Sequence, residues 1–149
     1  MIEIIIEKAV ELDLAEILVL QKLAYIQEAE IYNNFNISPL TQTLESVLED
    51  FKGQDFYKAC IEGKIVGSVK ANQKNNVVYI GKLIVHPDHQ NKGIGKQLML
   101  HVESQFPSAK KFELFTAHKS HKNLHLYHKL GFKEFKRESL ANNPDMVFL

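Results

Sequence analysis

Val77–Phe106, V-V-Y-I-G-K-L-I-V-H-P-D-H-Q-N-K-G-I-G-K-Q-L-M-L-H-V-E-S-Q-F, is the stretch from which the rest of the chain can be ordered. Val77 to Val85 is rich in β-branched and apolar residues and reads as a buried strand. His86-Pro87-Asp88 stops it, because proline donates no ladder bond and restricts the residue before it. Gln90-Asn91-Lys92-Gly93-Ile94-Gly95 then opens a helix whose apolar face includes Ile94, Leu98, Val102 and Phe106. Glycines at such a turn let the backbone bend and approach another group closely. The free N–H groups of a first helical turn, with the positive end of the helix dipole behind them, favour a phosphate. The stretch therefore predicts strand, turn and helix, with a phosphate-bearing ligand on Asn91 to Lys96.

Outside this stretch the composition narrows the classes. The 149 residues suit one domain, 1–149, with an adequate core. Eighteen basic residues balance eighteen acidic ones, so no global field argues for nucleic acid. The single cysteine, Cys60, lies in an apparent strand, excludes an intramolecular disulfide framework and reads as a small core residue. No apolar run approaches the roughly 20 residues of a membrane span, and M-I-E-I-I-I-E-K has acids where a signal peptide would not. A cytoplasmic protein with no membrane partner is expected.

Ile2 to Lys8 reads as a first strand, followed by a long helical pattern on Ile17, Leu20, Ala24, Glu28 and Ile31, with Asp13 as its cap and Glu16 as the capping-box partner. Ser38-Pro39 marks a break, and Thr41 to Phe51 reads as a shorter helix ended by Gly53. Phe56 to Glu62 and Lys64 to Asn72 form a hairpin through Gly63, and Lys74-Asn75-Asn76 turns into Val77. Lys111 to Ala117 is a further strand, Asn123 to Leu130 a helix ended by Gly131, and Phe132 to Glu138 and Met146 to Leu149 two last strands, the latter in the polar surround of Asn142-Asn143-Pro144. Short strands early and strand–helix alternation late predict an α/β (mixed α+β) fold, a central mixed twisted sheet of about six to seven strands flanked by about four helices. Ligands of such sheets sit at the carboxyl ends of strands, which here means Val85 and the glycine turn.

Three glycine-loop patterns compete for that turn. G-x-x-x-x-G-K-[ST] fails, because Gln90 stands at the first glycine and Gln97 follows Gly95-Lys96. G-x-G-x-x-G/A fails, because Leu98 fills the third position, where close helix packing needs a small residue. Q/R-x-x-G-x-G/A is met by Gln90 to Gly95, after the approach Val85-His86-Pro87-Asp88-His89-Gln90. This loop resembles the coenzyme A loop of the GNAT superfamily of N-acetyltransferases. A second motif raises the specificity: N-L-H-L-Y-H-K-L-G-F, Asn123 to Phe132, resembles the family's tyrosine helix followed by L-G-F/Y. The resemblance covers essentially the whole chain and is strongest from Val77 to Phe135.

The resemblance implies a GNAT-like acyl-CoA N-acyltransferase fold and direct acetyl transfer from acetyl-CoA to a primary amine of a small molecule or peptide, with no metal. It implies that the main chain at Leu83, Ile84 and Val85 binds the acetyl carbonyl and the pantetheine arm. It further implies that Gln90, Asn91, Lys92, Gly93, Ile94, Gly95 and Lys96 hold the pyrophosphate, and that Ser120 and Asn123 contact the cofactor, although many relatives carry asparagine where this chain has Ser120. Tyr127 matches the tyrosine that protonates the departing thiolate, a role that suits a thiol leaving group of pKa about 8.5. The acceptor pocket would be lined by Tyr25, Glu28 and Tyr32 on the first helix, with Pro39 and Leu40 beyond. The general base is open. Where some relatives place a carboxylate on the central strand, this chain has Tyr79, and Glu28, Glu30 or a chain of waters are the alternatives. Homodimers are common in the family.

Two further readings stay beside the enzyme. A non-catalytic acyl-CoA-binding or sensing domain of the same fold accommodates the missing base, and a nucleotide-binding protein would prefer ATP or NAD. The histidines His121, His125 and His128 have helical spacings that suit a metal, but no cysteine accompanies them and exposed helix histidines account for the pattern more simply. Ser120-His121 lacks the orienting acid and elbow glycines of a nucleophile.

Overall fold

The computed structural model describes residues 3–138 and 146–149. Seven strands form one sheet in the order β1-β2-β3-β4-β5-β7-β6, where β1 is Ile5–Lys8, β2 Asp55–Ile61, β3 Lys64–Lys74, β4 Val77–Val85, β5 Lys111–Ala117, β6 Lys136–Glu138 and β7 Met146–Phe148. Among the described residues β4 and β5 pair in parallel and the other neighbours are antiparallel. The helices are α1 Leu14–Tyr32, α2 Ser38–Thr41, α3 Leu44–Gly53, α4 Ile94–Gln105 and α5 His121–Lys129. The expected mixed sheet is present, and the fifth helix is α2, which occupies the Ser38-Pro39 stretch read as a break and is divided from α3, the second predicted helix, at Gln42 and Thr43.

That division has a local cause. Pro39 suits the first turn of α2, and Thr43 then caps α3 by accepting a hydrogen bond on its hydroxyl from the Ser46 N–H at 3.2 Å. The capping box at Asp13 is not formed. A 3₁₀ turn, Glu11–Asp13, precedes α1 and leaves Asp13 with helical φ −78° and ψ −18°. Its carboxylate accepts instead from the Val10 N–H and pairs with Lys58, while Glu16 accepts from the Ile65 N–H at 2.9 Å. Both acids therefore tie the start of α1 to the sheet. α5 begins two residues earlier than predicted, and the strand predicted over Phe132–Glu138 contracts to Lys136–Glu138. Ile2 and Asn142-Asn143-Pro144 lie outside the described residues.

The sheet buries an apolar layer on each face. α4 sets Ile94, Leu98, Met99 and Val102 against Val69, Ala71, Val78, Ile80 and Leu114. α1 and α3 set Leu14, Ile17, Leu18, Leu20 and Val47 against Phe56, Ile65 and Ile84. Each such side chain contributes roughly 1.5–3 kcal/mol relative to exposure. The 3.6-residue period of Ile94, Leu98 and Val102, all at most 1% exposed, is the burial the sequence predicted for α4; Phe106 ends the helix, half-buried.

Two irregularities in β4 open the sheet. Ser68 pairs with Ile84 but Lys70 pairs with Gly81, so Lys82 and Leu83 together face Val69. The extra residue is Lys82, at φ 48°, and such a bulge bends its strand. On the other side, β4 pairs with β5 only from Val77↔Lys111 to Ile80↔Leu114. From Phe115 onward β5 pairs with β7. The two central strands thus part beyond Ile80, and the β5-facing edge of β4 from Gly81 to Val85 has no ladder partner among the described residues.

Candidate active site

The parted end of β4 leads directly into the glycine turn. Asn91 and Gly93 both take left-handed backbone, φ 63° and 80°, and Gly93 caps α4. The Gln97 N–H makes the first helical bond to the Gly93 carbonyl at 3.0 Å, which leaves the earlier N–H groups of the turn without helical acceptors. Gly95 is required for a different reason. A Cβ there would lie 3.3 Å from Leu126 Cδ2, with Leu83 and Val85 within 4 Å, so β4, α4 and α5 converge on it. Gln90 links the same three regions and α1. Its amide donates to the Val85 carbonyl and to Gln27 Oε1, and its oxygen accepts from Lys122, each at 3.4 Å.

A cavity of about 1030 Å³ lies between α1, the end of β4, the glycine turn and α5. Of the predicted cofactor residues, Leu83, Ile84, Val85, Gln90, Asn91, Gly93, Ile94, Gly95, Lys96, Ser120 and Asn123 line it. Lys92 does not, and is exposed. Ser120 is 5% exposed and its hydroxyl has no hydrogen-bond partner, although buried polar groups are rarely left so. His89 Nδ1, in the same wall, is likewise buried and unpartnered.

The opposite wall comes from α1. Ala24, Gln27, Glu28 and Ile31 fall at helical spacing and line the cavity with Tyr25. Burial pushes the Glu28 carboxyl up to about 7. Burial also raises the Tyr25 and Tyr127 hydroxyls, and the Glu28 charge adds to both, which puts the three groups within electrostatic reach of one another. Tyr127 is 5% exposed, stands on α5 with its ring 6.0 Å from that of Phe132, and is not itself among the lining residues.

Two expected acceptor residues stand elsewhere. Tyr32 is the last residue of α1 and serves as a tie: its hydroxyl accepts from the Lys119 N–H at 2.8 Å and hydrogen-bonds His118 Nδ1 at 3.0 Å. Tyr79 lies on the stretch of β4 still paired with β5, 41% exposed and outside the cavity, which begins at Leu83 on the parted end. Pro39 and Leu40 are also absent from the lining, but the Pro39 carbonyl accepts from Gln21, whose amide also reaches Gln42. Gln42 in turn accepts from Lys82, whose ammonium is lowered to about 8 by burial and then by neighbouring Lys70. This network fastens α1, α2 and the β4 bulge together.

Sequence reasoning missed the basic part of the lining, Lys119, Lys122 and Lys129. The signal was present as lysines bracketing the start and end of the Tyr127 helix. His121 and His125 also line the cavity, whereas His128 is turned away from it. Among the described residues no three histidine, cysteine or acidic side chains gather as a metal-ligand set, and no helix is long and apolar enough to cross a membrane.

The comparisons agree with this geometry. Residues 16–132 match the model of the acetyltransferase (GNAT) family. The chain is 31% identical over 119 residues to the UPF0157 protein YqkA of Bacillus subtilis (strain 168), an alignment covering 80% of this chain and 34% of that one. It is 36% identical over 52 residues to the mycothiol acetyltransferase of Amycolatopsis mediterranei (strain U-32), covering 34% of this chain and 17% of that one. It thus spans about a third or less of the length of these curated relatives. In fold it is similar to the ribosomal-protein-S18-alanine N-acetyltransferase of Escherichia coli, with TM-score 0.80, 14% identity and coverage of 98% and 91% of the two chains. It is also similar to the PaiA N-acetyltransferase of Thermoplasma acidophilum, solved in complex with coenzyme A, with TM-score 0.76, 18% identity and 98% coverage of both chains. A family match across both motifs, on a sheet that opens at the predicted strand, leads to one assignment: the chain belongs to the acetyltransferase (GNAT) family.

Proposed function

We propose that this protein is an N-acetyltransferase that moves an acetyl group from acetyl-CoA directly to the primary amine of a small molecule or peptide. The observation that carries this reading is the parting of β4 from β5 immediately before a left-handed glycine turn, which leaves the β5-facing edge of β4 at Leu83 and Val85 beside a large cavity with no strand paired to it among the described residues. In this reading the N–H groups from Asn91 to Lys96 bind the pyrophosphate, with Lys96 and Lys122 adding charge at the rim. The free Ser120 hydroxyl and Asn123 bond the pantetheine arm, and a main-chain N–H near Leu83 steadies the oxyanion that forms at the acetyl carbonyl. Tyr127 is the general acid. Burial keeps its hydroxyl protonated at neutral pH, so it has a proton to give to the departing sulfur.

One observation favours a second reading, an acyl-CoA-binding domain without catalysis: β4 presents Leu83, Ile84 and Val85 to the cavity and no carboxylate. Measurement of free thiol released from acetyl-CoA with aliphatic amines, polyamines, amino acid amides and short peptides separates the two. Amine-dependent release is expected. Binding of acetyl-CoA without stimulation by any amine of the panel would leave the binding domain as the better account.

A further inference from the structure

We propose that Glu28 is the general base that deprotonates the acceptor amine, supplied by α1 rather than by the central strand. The inference rests on the acetyltransferase reading above and completes it. Among the described residues two carboxylates line the cavity, Glu28 and Glu30, and Glu30 is exposed. Glu28 is withdrawn from solvent and has no hydrogen-bond or ion-pair partner among the described residues, in contrast to Glu16, Asp13 and Asp50, each held by a donor. An acid kept in such a position without a donor has its lone pairs available to a ligand, and burying it uncompensated is unfavourable unless something is gained by it. It shares the cavity with Leu83, and its charge acts on the Tyr127 hydroxyl, which puts the two groups within electrostatic reach of one another. The buried polar atoms of the wall without a partner are the Ser120 hydroxyl, which is no base, and His89 Nδ1, which lies on the turn before α4 with its ring 5.6 Å from His86, on the phosphate-binding side.

The surroundings fit the task. Tyr25 on the same helix and Tyr127 on α5 are the titratable groups in charge contact with Glu28. The lysines of the cavity, Lys96, Lys119, Lys122 and Lys129, do not offset its burial, which alone raises its proton affinity. A carboxylate poised near neutrality accepts a proton more readily than an ordinary one. The ammonium of the acceptor gives one proton to Glu28, and the freed nitrogen lone pair attacks the thioester carbonyl. The new C–N bond forms, the C–S bond breaks, and the sulfur takes the Tyr127 proton to leave as thiol. The second proton lost by the nitrogen restores the tyrosine hydroxyl, and Glu28 passes its proton to solvent, so one proton is released per turnover.

The test is the pH dependence of kcat and kcat/KM for the wild type, Glu28→Gln and Glu28→Asp, with acetyl-CoA and the amine of the panel that gives the fastest thiol release. The wild type is expected to lose activity below an apparent pKa near 7. Glu28→Gln is expected to lower kcat about 100-fold and remove that acidic limb, in line with the loss of a general base. Its acetyl-CoA dissociation constant, from calorimetry, is expected to stay within about threefold of the wild type, and Glu28→Asp to recover part of kcat. An unchanged kcat with the limb intact, or a raised KM at unchanged kcat, overturns the proposal. A variant that does not fold leaves the ¹³C carboxyl titration of wild-type Glu28, where an inflection in the ordinary carboxylate range also overturns it. No amine-stimulated turnover in the wild type removes the acetyltransferase reading itself, and the base with it; loss of the limb assignment alone leaves that reading standing.

Discussion

The two walls of the cavity are built by different means. The β4–α4 wall is made of main chain: a bulge at Lys82, an unpaired strand edge and two left-handed residues, Asn91 and Gly93, ahead of a helix N-terminus. The α1 wall is made of side chains, Tyr25, Gln27, Glu28 and Ile31, on a regular helix. In the proposed function the backbone wall meets what is common to every acyl-CoA, a diphosphate and an amide-bearing arm. A side-chain wall can be changed residue by residue without disturbing a ladder or a cap. The contrast teaches where chemistry specific to this chain is to be sought.

The comparison can be broken most readily at the junction of the walls. Tyr127→Phe is expected to lower kcat by about 100-fold at nearly unchanged acetyl-CoA affinity, as for a lost general acid. Equal kcat in steady-state thiol release would remove its role. The α1 wall has a stability signature of its own. Because the Glu28 carboxyl sits at about 7 rather than 4.5, the native state holds that proton more tightly than the unfolded chain does. Stability from this group is therefore complete below pH 4.5 and is lost as pH rises through 7. Glu28→Gln, neutral at every pH, should raise the unfolding free energy at pH 8 by about 2–3 kcal/mol and leave it unchanged near pH 4. Urea unfolding at the two pH values checks this, and an equal effect at both would break the link between burial and charge.

The β4–α4 wall answers to backbone changes. Gly93→Val forces a β-branched residue into φ 80° and should cost about 1–2 kcal/mol of stability, with acetyl-CoA binding weakened about tenfold. Calorimetric titration showing wild-type affinity would detach the turn from the cofactor. The smallest effect is expected at Lys92, exposed and outside the cavity: Lys92→Ala should change acetyl-CoA affinity by less than about threefold, as surface charges generally do. A larger loss would extend the cofactor wall beyond the cavity.

The difference between the walls also explains what was legible in the sequence. Glycines, a proline and an apolar period are local signals, and from them the turn at Gln90–Gly95, α4 and the position of Tyr127 could be read. The hairpin at Gly63 and strand β5 were readable for the same reason. The site's other half depends on contacts far apart in the chain. Helical spacing grouped Tyr25, Glu28 and Tyr32, but the placement of α5 decides that the first two face the cavity while Tyr32 is taken up by residues 86 and 87 positions away. Tyr79 was assigned by analogy of position, yet it lies on the stretch of β4 still paired with β5, whereas the cavity begins at Leu83 on the parted end. Asp13 and Glu16 matched a local capping pattern, but Lys58 and the Ile65 N–H compete for the same carboxylates and prevail. The Lys82 bulge leaves no mark in the residue types around it.

The Tyr32 tie sets a tolerance for the whole apparatus. Its hydroxyl joins the end of the helix that carries Glu28 to the loop that leads through Ser120 into the helix of Tyr127. The spacing between the proposed proton acceptor and the proposed proton donor is thereby gauged by one phenol that belongs to neither motif. Insertion of a single residue between Ala117 and Ser120 would shift that gauge while every motif residue kept its identity, so under the proposed mechanism the length of this loop bears on turnover as much as Glu28 and Tyr127 do.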